Sequence, residues 1–352
     1  MAARAHFRLL AILAIAAAAA AAGAETAALL PVERAARRPE VEGRVELALA
    51  AQLAARVELV GMEQTRDALR RRRLRSSDGA DGETLRALAT ELAASWLLAA
   101  TVHEAPNGPV PELTISARLY DGGTGELVWC GFVGASGIDD AGLLGIGRFE
   151  THDQLADHAV AELLAPLFAN GAGLTVPAVA AHQERLGTVA IVPFTATVGE
   201  DALEVSVAAT ESLRAILHRR GVRLAEPGCV RAGLRRATGH RWGELSAEAR
   251  AAIRASCGAE LLVTGSVERW ELGGSAVAPE PTLAVAVRLL EAAGGRIRFT
   301  GSLEAGGWDR PGLFGLRRVY ARGELLNRLL DRIGKNLLAV DLDTATAMES
   351  SS

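Results

Sequence analysis

Displaced by 170 positions, the chain falls on itself. Leu113–Phe168 lies over Leu283–Leu338 without a gap, and "ARLYDGGTGELVWCG" meets "VRLLEAAGGRIRFTG". Arg118 pairs with Arg288, Leu119 with Leu289, Gly125 with Gly295 and Gly131 with Gly301. The register runs on through "GLLGIGR" (142–148) and "GLFGLRR" (312–318), then to Leu155 over Leu325 and Leu167 over Leu337. Upstream the offset shrinks to 165, where "LLAATV" meets "LVTGSV", and to 162, where "ALLPV" meets "AIVPF". A drifting offset is what two copies of one fold with unequal loops produce. A unit of about 150 residues can bury its own core, so the pattern reads as a tandem pair of domains and not a solenoid.

Each copy predicts the same elements. A short apolar strand comes first (Ala27–Val32, then Val189–Phe194). A helix follows, with apolar residues at helical spacing: Val45, Leu49 and Leu53, or Val207, Leu213, Ile216 and Leu217. A short strand (Arg56–Gly61, Gly221–Glu226) leads to a second helical region (Glu83–Ala94, Ser246–Cys257), with Ser246 placed to cap the latter. A strong strand (Trp96–Val102, Leu261–Val267) and two alternating strands joined by a Gly-containing turn come next. A closing helix spans Asp153–Phe168 or Tyr320–Leu338. The order β-α-β-α-β-β-β-α predicts an α/β (α+β) class: two tandem mixed-sheet domains with helices packed on the sheet. We place them at 25–170 and 188–343, joined by a linker at 171–187 and followed by a disordered tail at 344–352.

The first residues predict export. Arg4 and Arg8 precede the apolar "LLAILAIAAAAAAA", and "AGA" at 22–24 offers a small-x-small cleavage site before Glu25. The alternative is an uncleaved anchor, for which the alanine-rich run is short. No cysteine follows this run, and every later apolar run is broken by Arg, Glu or Asp. A periplasmic chain, with no stable membrane span after cleavage, is expected. The formal net charge of −4 gives no footprint for nucleic acid. That charge is unequally shared: residues 25–170 hold 14 basic and 22 acidic side chains, and residues 171–352 hold 22 and 20. Three cysteines make no disulfide framework. Cys229 and Cys257 could bridge in an oxidising compartment, but Cys229 after a strand and Cys257 at a helix end read as lying at opposite ends of the sheet, which favours free thiols.

The motifs "VAIVPF", "GVRL", "CGAELLVTGSVER" and "VAVRLLEAAGGRIRFTG", with "RLYDGGTGELVW" in the first copy, resemble the TolB amino-terminal domain and its CsgG-like and LpoB-like relatives of the bacterial envelope. The resemblance covers most of the chain after residue 24 and implies the fold above. It also implies a scaffolding or assembly role, with no catalytic residues to carry over. The lipobox cysteine common in the curli-secretion and activator proteins is missing, and no β-propeller follows, so neither lipid anchoring nor a whole TolB is implied.

No stretch carries recognisable reaction chemistry. His152 and His158 in "THDQLADH" are six apart, off the i,i+4 spacing of a helical zinc pair. "LRRRRLRSSDG" (69–79) could grip an anionic partner, but reads first as a solvated helix end. The glycine loops lack the Lys–Ser/Thr of a phosphate loop. We expect no enzyme, no metal and no cofactor, but a module binding an envelope protein or cell-wall component. The alternative is a hydrolase or metal-dependent enzyme with its site between the domains. Leu143, Leu144, Leu313 and Phe314 in the repeated loops, with Trp308 nearby, are the candidate residues for contact between the domains or with a partner. Opposite net charges of the halves and a short apolar linker predict that the domains pack as a fixed pair.

Overall fold

The computed structural model describes residues 25–34, 39–74, 76–104, 110–139, 147–169, 173–177, 186–198, 201–237, 245–275, 278–309 and 318–339. The export segment, the tail and most of the linker lie outside them. The class is α+β: eight α-helices and two mixed sheets.

The first half runs β1 (Thr26–Leu29), β2 (Glu33–Arg34), α1 (Pro39–Ala54), β3 (Glu58–Leu59), α2 (Met62–Arg71) and α3 (Gly82–Leu92). It continues with β4 (Trp96–Glu104), β5 (Glu112–Asp121), β6 (Leu127–Ser136) and α4 (His152–Leu164). The second half repeats it as β7 (Thr188–Ile191), β8 (Thr195–Ala196), α5 (Ala202–Arg219), β9 (Arg223–Leu224), α6 (Pro227–Arg236) and α7 (Ala247–Cys257). β10 (Leu261–Ser275), β11 (Ala278–Glu291), β12 (Ile297–Gly306) and α8 (Arg322–Leu338) complete it.

The sheets are ordered β3-β1-β4-β5-β6 and β9-β7-β10-β11-β12, with β2 beside β4 and β8 beside β10. Strand β1 runs parallel to β3 and β4, while β4-β5-β6 is an antiparallel meander. Irregularities fall at matching places: after Val102 and Val267 on the fourth-strand pair, and at Leu119 and Leu289 on the fifth. Both hairpin turns need a left-handed residue and use glycine, Gly125 at φ +77° and Gly295 at φ +73°.

Each sheet buries the odd-numbered residues of its central strand under its own helices. Leu113, Ile115, Ala117 and Leu119 pack with Val41, Val45, Leu49 and Leu53 of α1 and with Leu155, Val160 and Leu163 of α4. Leu283, Val285, Val287 and Leu289 pack in the same way with Val205, Ala209, Leu213 and Leu217 of α5 and with α8. Full burial of one such Leu or Val contributes about 1.5–3 kcal/mol. Caps follow sequence chemistry: Asp81, Thr151 and Ser246 accept the backbone N–H of Thr84, Gln154 and Ala249 at 2.9, 3.3 and 3.1 Å.

Two expectations need correction. Between the third and fourth strands each half carries two helices, not one. Helix α2 fully buries only Thr65 and Ala68 and α6 only Pro227, Gly228, Val230 and Gly233, so their inner sides carry few large apolar residues. The extra helix also overturns the placement of the cysteines at opposite ends of the sheet, although all three are free thiols. Cys229 sits on α6, packed on the same apolar cluster as Cys257 at the end of α7. The Cys229 thiol donates to the Glu226 carbonyl at 3.0 Å, and interaction with Cys257 lowers the pKa of Cys229 while that of Cys257 is raised.

Two neighbouring thiols, one with its pKa lowered, are placed for oxidation to a bridge. Exposing the purified chain to a disulfide reagent should therefore yield an intramolecular 229–257 bridge, detectable by peptide mass. Cys130, buried, with its thiol pushed up to about 12 by desolvation, should react only on unfolding. Recovery of unbridged Cys229 and Cys257 after oxidation would contradict this placement.

Candidate functional site

The polar, even-numbered face of the first sheet is not left to solvent. Glu112, Thr114, Ser116 and Arg118 of β5 are all buried. What covers them is the second half: α5 and α8 pack on β4, β5 and β6 while holding their own sheet on the opposite side. From Ala208 to Leu217 helix α5 is buried all round, including Thr210, Glu211, Ser212 and Arg214.

A buried charge must be paired, and these are. Glu211 pairs with Arg214 one turn along the helix and with Arg118, whose Nε lies 3.8 Å from Oε2 of Glu211. Arg118 also donates to the Ser77 hydroxyl at 3.3 Å, and that hydroxyl donates to Glu33 at 2.6 Å. At the other end of β5, Glu112 accepts the backbone N–H of Arg322, with the Arg322 guanidinium 3.5 Å away. Desolvation raises the Glu112 pKa, and Arg322 opposes the rise. The helix start reaches the strand because two glycines meet. A Cβ on Gly134 would lie 2.3 Å from the Glu324 nitrogen, and one on Gly323 would lie 2.2 Å from the Thr114 hydroxyl. A further contact joins the halves where Glu226 accepts the Gly82 N–H at 2.8 Å.

Beside this junction lies a cleft of ≈ 300 Å³. One wall is Trp129, Cys130, Gly131, Phe132 and Val133 of β6. Successive strand residues point to opposite faces, so five in a row can line one cleft only if it follows the strand's edge. Among the described residues β6 pairs with β5 alone. The other walls are Glu162 and Leu163 of α4 with Pro166, then Pro177, His218 and Arg219 of α5, and Glu324 and Asn327 of α8. His218 Nε2 lies 3.0 Å from the Val128 carbonyl, at the entry of β6. This arrangement offers an unpaired main-chain edge, two aromatic rings and two carboxylates. It presents no nucleophile beside a base, and the Cys130 thiol is held protonated.

Burial raises the Glu324 pKa above the usual 4.5, against the pull of Arg328 and with a push from Glu162. The unfolded chain therefore loses this proton first as pH rises, and stability falls across that window. In Glu324→Gln the contribution is gone. Its stability, followed by urea unfolding from the acid side towards neutrality, should decline less than that of the wild type.

Of the residues singled out by sequence, Leu143, Leu144, Leu313 and Phe314 lie outside the described residues. Trp308, half-buried at the end of β12, has the Arg318 guanidinium 4.3 Å from its ring centroid. The arginine run is occupied within the first half: Arg70 pairs with Asp67, while Arg71 and Arg72 share Glu91. His158 stacks near Phe149, with centroids 4.8 Å apart. Among the described residues no group of three His, Cys, Asp or Glu is placed to hold a metal, and no helix is long and apolar enough to cross a membrane. The junction residues Arg118, Glu211, Arg214 and Gly323 were missed as a site. The available signal was the polar run "TESLR" inside an otherwise apolar helix.

No family model matches the chain, and no curated protein does. Solved structures resemble parts of it. PelC from Paraburkholderia phytofirmans, in its dodecamer, is 20% identical over 44% of this chain and 92% of its own, with a TM-score of 0.27. Lipoprotein GNA1162 from Neisseria meningitidis is 14% identical over 42% and 98%, with a TM-score of 0.29. The LpoB C-terminal domain from Escherichia coli is 19% identical over 32% and 82%, with a TM-score of 0.26.

Proposed function

We propose that this chain is an exported, non-catalytic binding or assembly module of the bacterial cell envelope. In this reading it is built from two tandem domains of the TolB-N/CsgG-like and LpoB-like kind, at 25–170 and 188–343. The observation that carries the binding role is the cleft along the free edge of β6, walled by both halves. An unpaired strand edge takes an extended peptide by main-chain hydrogen bonds, and the adjacent side chains select its sequence. Trp129 and Phe132 suit an apolar residue, and Glu162 with Glu324 suits a basic one. The export-type amino terminus and the family-like hairpin "RLYDGGTGELVW" support the compartment. A fold that holds rigid charges in a dry junction and presents an open edge beside it is suited to holding a partner.

A photo-crosslinking residue at Asn327, inside the cleft, tests this reading against one at Leu203, which is exposed on α5 away from it. In envelope extract the first should give a defined adduct with one protein and the second should not. Equal labelling at both positions, or none at Asn327, contradicts the proposal.

A further inference from the structure

The two sheets differ in one respect that their shared topology makes conspicuous. On the first, the even-numbered face is roofed by α5 and α8. On the second, helices α6 and α7 cover only the corner around Ala190, Leu262 and Leu290, and among the described residues nothing covers the rest of that face. Thr114 and Ser116, at 0% and 2% exposure, have as counterparts Ala284 and Ala286, which are partly exposed. Arg118, 2% exposed, has as its counterpart Arg288, which is exposed, as are Thr300, Ser302 and Glu304 on β12. Small apolar side chains thus stand at the centre of an open sheet face, with charges around them.

The opposite end of the molecule carries the matching part. Helix α1 is to the first sheet what α5 is to the second: Val41, Val45, Leu49 and Leu53 hold the core positions of Val205, Ala209, Leu213 and Leu217. In that alignment Glu211, buried against the first sheet, corresponds to Leu47, which is 65% exposed. So the helix face that on α5 is packed against a sheet is on α1 presented to solvent, with an apolar residue at its centre.

The contact between the halves is heterologous: helices of one unit sit on the sheet of the other. Such a contact leaves one unsatisfied surface of each kind at the two ends and can be repeated by a further copy. We infer that the open face of the second sheet docks α1 and α4 of another copy of this chain, head to tail. Charge favours this occupant. The half presenting α1 is net acidic, with 22 acidic against 14 basic residues, and the half presenting the open sheet is slightly basic. Arg288 stands exposed on that sheet face and Glu40 exposed on α1, while Arg269 is paired with Glu304 and Glu46 with Arg66 within their own halves.

The intermolecular contact is looser than the internal one. Gly134 against Gly323 has as counterparts Glu304 and Asp153, and the Glu226–Gly82 bond has Gly61 and Ala247. Association is therefore concentration-dependent and weakened by salt. Helix α4 also lends Glu162 and Leu163 to the β6 cleft, but Leu47 and Ala286 are not among the residues lining it, so the two proposals are tested at different positions.

Sedimentation velocity on residues 25–352 across a range of concentrations tests it. The wild type should pass from monomer to dimer and larger species. Leu47→Arg on the helix face and Ala286→Arg on the sheet face should each lower the association constant by at least about tenfold, as loss of a central contact does. Both positions are exposed or half-exposed, so thermal unfolding of the variants should match the wild type. An equal mixture of the two variants retains one intact pair of surfaces and should form dimers and nothing larger. A wild type that stays monomeric throughout, leaving the face to some other partner, overturns the inference. So does assembly that survives either substitution, or a mixture that does not dimerise.

Discussion

Glu211→Ala should lower the unfolding free energy by about 3–5 kcal/mol, the cost of removing one partner from a buried ion pair. The residue sits 5% exposed between two guanidiniums, those of Arg118 and Arg214, which are 2% and 3% exposed. Without the carboxylate, the guanidiniums of Arg118 and Arg214 lose the negative charge they share away from water. Ser77 takes one N–H of Arg118 but carries no charge. The contrast is Leu203→Ala on the same helix, at an exposed position, where surface substitutions stay within about 0.5 kcal/mol. Urea unfolding of the two variants, followed by far-UV circular dichroism, measures the difference. Equal, small effects would place Glu211 in water and not between the sheets.

The second large effect is steric. Gly323→Val puts a branched side chain where even a Cβ would meet the Thr114 hydroxyl at 2.2 Å and the Gly134 Cα at 3.1 Å. Overpacking of this kind costs about 1–3 kcal/mol where side chains can yield. Here one of the opposing atoms is backbone, so α8 must move off β5. Moving it also withdraws the Arg322 N–H from Glu112. We expect a loss of at least about 3 kcal/mol, adding the unmade charged hydrogen bond, and loosening of the two halves in limited proteolysis. Gly43→Val, on the outward side of α1 with nothing within 4 Å, is the control and should cost little.

Much of this architecture is legible in the sequence because the two halves share one order of elements and strands. Matched pairs such as Leu119 with Leu289 and Gly125 with Gly295 fix strand and turn in both copies at once. The meander and closing helices fall where alternation and helical spacing put them. The helix pair α2 and α6 was not legible. Half of "MEQTRDALRR" is charged, and a helix whose fully buried residues are a threonine and an alanine carries little apolar weight on its inner side. The junction was not legible for a different reason. Arg118 and Arg288 align perfectly yet lie in opposite environments, one sealed under α5 and the other in solvent. Alternation on β5 and β11 is the same local code, a polar face opposite an apolar one. Which polar face is roofed depends on a neighbour about 100 residues away in sequence, which no local pattern encodes. The placement of Cys229 and Cys257 at opposite ends of the sheet failed through the missed helix α6, since a strand end and a helix start place a side chain differently, while their reading as free thiols stands.

The central claim is that the two halves form one body, with α5 and α8 as a shared layer between the sheets. Small-angle X-ray scattering on residues 25–352, extrapolated to infinite dilution so that association does not contribute, tests it most directly. A single compact body of this length has a radius of gyration of about 20 Å. The account predicts a value near that, a single-peaked distance distribution, and a shift to longer distances in Gly323→Val. A wild-type curve that needs a broad spread of separations between two bodies, unchanged by Gly323→Val, would contradict it.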